Sequence, residues 1–345
     1  STTAGGAQTI TSAVTISLHA SSPAAGYIDA GANNVVLFGF TLTPASGSFD
    51  FTGLVVDVAG TATSGDLSNF EIVYDADGDG EVDGGESVVS DTKAIGATIT
   101  FVMDSQTGIS AARNYLLIAD VAASPTAGRT ITASVDTADV TTTGTESGDA
   151  DGAQQTIRTA PILTSPTATA IGQTAATLGA TLSANGGATV TDYGVVWNTA
   201  GTPTTADNKV QESTTEPSLP EIFDVSASSL GQGTKIYYRG YAINSVNTAY
   251  SAQGSFYTEP GQASDVAFAN VTATGLRITW SAGADSDGAI VVVRASSAVA
   301  DDPTDGTLHS ASTTFGSGAN LGNSSYVVYR SSGTQVDVTG LSAGT

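Results

Sequence analysis

Apolar side chains in this chain recur at every second position, and that period limits what it can fold into. Val14, Ile16 and Leu18 form one such run, and Val36, Phe38, Phe40 and Leu42 form another. Ile99, Phe101 and Met103, then Leu116 and Ile118, then Ile131, Ala133 and Val135 repeat the pattern. Alternation gathers one set of side chains on one face of a strand, whereas an amphipathic helix needs a period of about 3.6. Helical periodicity is almost absent. Turn-forming clusters cut the runs short, as at Ser21-Ser22-Pro23-Ala24-Ala25-Gly26 and Ser124-Pro125-Thr126-Ala127-Gly128. Short strands so punctuated predict antiparallel sandwiches. The first domain is expected over residues 1–158.

One stretch has a different logic. In Asp75-Ala76-Asp77-Gly78-Asp79-Gly80-Glu81-Val82-Asp83-Gly84-Gly85-Glu86, carboxylates stand at positions 1, 3, 5, 9 and 12, with glycine at position 6. Asp75, Asp77, Asp79, Asp83 and Glu86 have the spacing of Ca²⁺ ligands, Glu81 would offer its carbonyl, and Asp83 would act through water. An acidic surface turn has no reason to space its carboxylates this way. The flanks of a regulatory EF-hand are helices, but Phe70, Ile72 and Tyr74 alternate with Glu71 and Val73 ahead of the loop, which is strand periodicity. The expected ion is Ca²⁺ in a structural role, between two strands. Asp149-Ala150-Asp151-Gly152 reads as an acidic solvated loop rather than a second site, because only Asp149 and Asp151 have ligand spacing. Asp285-Ser286-Asp287-Gly288 reads as a hairpin turn between Trp280 and the strand that begins at Ala289.

Charged residues are only 12% of the 345, yet the net charge is −23. Phosphate backbones repel such a chain, so nucleic acid is not an expected partner. The absence of cysteine excludes disulfides and thiolate metal sites. No apolar run approaches the 18 or more residues of a membrane span. The first residues show no basic region followed by an apolar core, so any signal peptide is expected to have been removed.

A second domain is expected over 159–259 and a third over 260–345. Leu230-Gly231-Gln232-Gly233-Thr234-Lys235-Ile236-Tyr237-Tyr238-Arg239-Gly240-Tyr241-Ala242-Ile243-Asn244 resembles the penultimate-strand signature of fibronectin type III-like domains, in the version found in large secreted Bacteroidota proteins. Leu276-Arg277-Ile278-Thr279-Trp280 resembles the second strand of the same family, with Trp280 as the core tryptophan. The resemblance covers roughly the last 185 residues, and domain one resembles, more loosely, the Ig-like modules found beside such repeats. It implies an all-β fold of tandem antiparallel Ig-like and fibronectin type III-like β-sandwiches; the calcium loop belongs to no single family, and its flanking periodicity puts it between strands of the first. Leu341-Ser342-Ala343-Gly344-Thr345 aligns with Leu230 to Thr234, so domain three lacks counterparts of its final two strands. Three explanations are open: a longer chain with further domains, strand addition from another copy (with residues 1–10 as one donor), or a stable half-sandwich.

Signatures of catalysis are weak. His19 and His309 lie in different domains and read as surface histidines. A triad drawn through His309 and Asp305 has no nucleophile elbow. Glu212, Glu216 and Glu221 fall in or beside a solvated loop, 199–220, with nothing to bury a proton donor against. Tyr237, Tyr238, Tyr241, Tyr250, Phe256 and Tyr257 offer a sugar platform, but core and sheet packing accounts for them better. The expectation is a non-enzymatic structural or adhesive protein, extracellular or at a bacterial cell surface, acting as a rod, stalk or filament subunit. Its partners would be copies of itself, further domains or surface glycans. The alternative is an accessory or carbohydrate-binding region of a secreted hydrolase.

Overall fold

The computed structural model describes residues 12–304 and 307–342, and among them there is no helix. Strands fall into three groups, each enclosing its own apolar core between two sheets. Residues 1–10, Asp305 and residues 343–345, invoked above for strand donation, the triad and the last-strand alignment, lie outside the described residues.

The first unit contains β1 (Ala13–Leu18), β2 (Gly26–Asp29), β3 (Val35–Pro44), β4 (Phe49–Gly60), β5 (Leu67–Asp75), β6 (Ser87–Val88) and β7 (Thr98–Ile109). It continues with β8 (Arg113–Val121), β9 (Thr130–Val135), β10 (Val140–Thr142), β11 (Thr145–Gly148), β12 (Ala150–Asp151) and β13 (Gln155–Arg158). One sheet runs β11-β1-β3-β8-β5-β6, and the other runs β10-β4-β9-β13-β2, with β7 along β4 and β12 along β9. Pairing is antiparallel except between β1 and β11 and between β13 and β2. Phe40 stacks on Tyr115 at 5.4 Å and Phe51 meets Tyr115 edge-on at 5.2 Å, so aromatic area from both sheets fills the centre. Asp151 pairs with Ser134 in β12, so the segment expected to be a solvated loop is strand at that point.

Alternation identifies these strands but fails to assign every face. A bulge between Val36 and Phe38 turns Val36 outward while Phe38, Phe40 and Leu42 point into the core. An extra residue in one strand reverses the parity of what precedes it. Parity also slips at the end of β1, where Leu18 is 48% exposed and His19 is buried in its place. In β8, Tyr115, Leu117 and Ala119 join the main core. Leu116 and Ile118 lie on the opposite face with Val73, in a small cluster covered by Val36 and Val82. This strand is therefore apolar on both sides.

The second unit comprises β14 (Ile162–Thr169), β15 (Ala175–Ala184), β16 (Asp192–Asn198), β17 (Asn208–Ser213), β18 (Glu221–Ser228), β19 (Lys235–Ile243), β20 (Thr248–Tyr250) and β21 (Gly254–Tyr257). Its sheets are β14-β15-β18 and β17-β16-β19-β20, with β21 along β19. The stretch 199–220, expected to be a loop, contains β17, which pairs with β16 from Asn208 to Ser213. In mid-β19 a Cβ on Gly240 would lie 2.4 Å from that of Ala180, so only glycine fits between the sheets there.

The third unit holds β22 (Ser264–Ala269), β23 (Gly275–Ser281), β24 (Ala289–Arg294), β25 (Asn320–Gly322), β26 (Ser325–Ser331) and β27 (Gln335–Thr339). Its sheets are β22-β23-β27 and β24-β26-β25, around Ile278, Trp280, Val328, Val336 and Val338. Because β23 and β24 belong to different sheets, Asp285-Ser286-Asp287-Gly288 crosses between sheets and is not the hairpin turn expected. In unit two β16 has a partner on each side, β17 and β19, whereas among the described residues β24 pairs with β26 alone. An apolar cleft lined by Val266, Phe268, Ile278 and Val291 runs beside it, with Phe268 65% exposed.

Candidate metal centre

The acidic loop closes a hairpin. β5 delivers Asp75 at its C-terminal end, and β6 returns with Val88 opposite Val73 and Ser87 opposite Tyr74. No helix flanks either side. Glycines make the turn possible, since Gly78 and Gly80 both have positive φ, 80° and 82°.

Asp75 is the anchor. Its side chain is buried; Oδ1 accepts from the Gly78 amide at 2.6 Å and Oδ2 accepts from the Gly80 amide at 3.1 Å. Asp77 Oδ1 accepts from the Asp79 amide (3.2 Å), Asp79 Oδ1 from the Glu81 amide (2.8 Å) and Asp83 Oδ1 from the Gly85 amide (3.0 Å). Each local turn orients one carboxylate oxygen and leaves the other free. Glu86 reaches back across the loop: Oε1 accepts from Ala76 at 3.1 Å and Oε2 from Asp83 at 3.4 Å.

These constraints gather oxygens of Asp75, Asp77 and Glu86 within 4.8 Å of one another, and likewise those of Asp77, Asp79 and Asp83. Ca²⁺ binds oxygens at about 2.3–2.6 Å, so ligand atoms of one ion sit at just such mutual distances. The six expected residues thus divide: Asp77 belongs to both groups, and the exposed Glu81 side chain belongs to neither, as suits a residue expected to act through its carbonyl. Burial, together with the nearby Asp75 charge, pushes the Glu86 carboxyl above its ordinary value, outweighing its two amide hydrogen bonds. A bound cation would reverse that repulsion.

His19 corrects the sequence reading. It is 3% exposed, and its Nε2 lies 3.3 Å from Asp75 Oδ2. Among the described close approaches of a basic side chain to a carboxylate, this is the only one that involves a loop carboxylate. The signal for it was Gly39, within an apolar run: a Cβ there would come within 3.0 Å of both His19 and Leu116. Val82, at the centre of the acidic loop, was also missed, and it packs on the outer-face cluster of Val73, Leu116 and Ile118. His309, by contrast, is far along the chain in the third unit, where its Nε2 accepts from the Thr304 amide at 3.2 Å.

The sugar platform is divided by the sheet. Tyr238 and Tyr241 are buried, the latter donating to Asp192 Oδ1 at 2.7 Å, while Tyr257 is exposed and shares Lys235 with Tyr237.

No protein-family model matches the chain, and no curated protein matches it. Solved structures that match the chain include domains A168-A170 from titin, at 10% identity and a TM-score of 0.31, over 71% of this chain and 66% of that one. The chicken CNTN1 FN1-FN3 domains match at 12% identity and a TM-score of 0.25, over 70% of this chain and 66% of that one. The C-terminal domain of the Streptococcus agalactiae AgI/II polypeptide BspA matches at 9% identity and a TM-score of 0.33, over 71% of this chain and 100% of that one. The chain thus spans about two thirds of the titin and CNTN1 fragments. No helix among the described residues is long and apolar enough to cross a membrane.

Proposed function

We propose that this chain is a non-enzymatic, extracellular structural or adhesive protein: sandwich units in series, the first locked by Ca²⁺, serving as a rod, stalk or filament subunit at a bacterial surface. The observation that carries this reading is the strand-flanked loop. Side-chain oxygens of Asp75, Asp77, Asp79, Asp83 and Glu86, with the Glu81 carbonyl, supply the hard donors Ca²⁺ prefers. The ion would offset the mutual repulsion of six acidic side chains and pin the hairpin end. Because strands rather than helices flank the loop, there is no helix pair for the ion to swing open, so binding stiffens one unit instead of switching it.

The margin of β24 that is unpaired among the described residues, and the apolar cleft beside it, support strand addition, by another copy or by further domains of a longer chain. A second reading, a carbohydrate-binding region of a secreted hydrolase, draws on the exposed Tyr257 beside Lys235.

Negative-stain microscopy of native material with and without chelator, paired with calcium calorimetry, tests the first reading. Rods or polymers that take up Ca²⁺ and loosen in chelator are expected. Isolated beads that take up no Ca²⁺ would overturn it, and retention on insoluble polysaccharide would favour the second reading.

A further inference from the structure

We propose that His19 is a positioning residue for the calcium loop, holding Asp75 through the close approach of its Nε2 and so setting the affinity for Ca²⁺. This rests on the reading that the loop binds Ca²⁺. His19 Nδ1 accepts a hydrogen bond from the Ser21 amide at 3.0 Å. In the neutral ring that leaves the proton on Nε2, which faces Asp75 Oδ2 at 3.3 Å. Both nitrogens are therefore committed, one to the backbone and one to the carboxylate, and neither is free to serve as a metal ligand.

The ring is itself held in place. The His19 amide donates to the Gly39 carbonyl at 3.0 Å, and Ser22 donates its amide to the His19 carbonyl at 3.0 Å. The Gly39 amide donates to Ser22 Oγ at 3.1 Å, closing the turn over β3. That turn touches the acidic loop at a second point, because a Cβ on Gly80 would lie 2.6 Å from the Ser21 carbonyl oxygen. The Gly78 and Gly80 amides donate to the Asp75 carboxylate, and His19 Nε2 stands beside the same group, so its orientation is constrained from three sides before an ion arrives. Hydrogen-bond partners of ligating groups carry much of a site's affinity, and their loss typically weakens metal binding about 10–100-fold.

The test uses the whole chain, titrated with Ca²⁺ by calorimetry at neutral pH, with melting in chelator recorded alongside. His19→Asn keeps an acceptor near Nδ1 but has no donor that reaches Asp75, and is expected to weaken binding about 10–100-fold. His19→Gln, whose amide nitrogen extends toward the Nε2 position, is expected to restore most of the affinity. A purely structural role would lower chelated melting in both variants and leave affinity unchanged, which would overturn the proposal. In the unmodified protein, long-range nitrogen-15 spectra should show the Nε2-protonated ring; an Nδ1-protonated ring would overturn it without any variant. If the unmodified chain takes up no Ca²⁺, the loop reading falls and this one with it. Uptake that His19→Asn leaves intact sinks this inference alone.

Discussion

The Gly80 amide donates to Asp75 Oδ2 at 3.1 Å, joining the sixth position of the acidic loop to its first. The bond requires a residue at φ 82° whose α-carbon carries nothing toward Ser21. Gly80→Ala should therefore strain the backbone and clash with Ser21 together, destabilising the first unit by about 1–3 kcal/mol. Thermal melts in chelator measure that cost apart from any change in calcium affinity.

Val82 connects the loop to packing rather than to charge. Val82→Ser should uncover Val73, Leu116 and Ile118 on the outer face of the six-stranded sheet, at a cost of about 1 kcal/mol. Calcium removal should expose the same cluster by loosening the loop above it. An environment-sensitive dye is expected to brighten in chelator and to respond less to calcium in the variant.

Acid should act on Asp66, which is buried between Thr63 and Thr126. Burial alone would raise its pKa, but amide bonds from Thr126 and Thr63, the Thr63 hydroxyl and the Arg129 charge together hold it below the ordinary aspartate value. The unfolded chain then binds the proton more readily, so this contribution is complete above the ordinary value and is lost as pH falls through the folded one. Asp66→Ala should cost about 1–3 kcal/mol at neutral pH and flatten the fall in stability below pH 4. Urea melts across that range would show it.

At the start of the second unit, Asn244 Nδ2 donates to the Thr159 and Asn185 carbonyls at 2.8 Å each, and its Oδ1 accepts from Val246 and Asn247. Asn244 is buried, and Asn244→Ala leaves half-buried backbone groups without these bonds, which should destabilise the unit by about 1–3 kcal/mol. Hydrogen exchange at the Val246 and Asn247 amides should quicken before that of β19.

The cleft in unit three makes a separate prediction. A peptide copying residues 235–257 should bind beside β24, and replacing Val266 and Phe268 by Ser should abolish that binding. Both side chains are exposed, at 57% and 65%, so folding should change by no more than about 0.5 kcal/mol. Fluorescence anisotropy of labelled peptide reads the first effect and melting the second.

Sequence by itself determined the strands, because alternation of apolar residues and turn clusters are local signals. Val14 with Ile16, Phe38 with Phe40 and Leu42, and Ile131 with Ala133 and Val135 point into the core. It also placed six acidic groups within one short loop, since ligand spacing along a turn is a property of neighbours in the chain. Tertiary structure decided the rest. A bulge after Val36 and the slip at Leu18 reversed side-chain parity, and neither has a local signature, because each depends on the register of the partner strand. His19 reached Asp75, 56 positions away, only because β1 and β5 belong to one sheet and Gly39 left room between them. Contacts of that range depend on how strands are ordered across a sheet, and the period of side chains along one strand carries no record of that order.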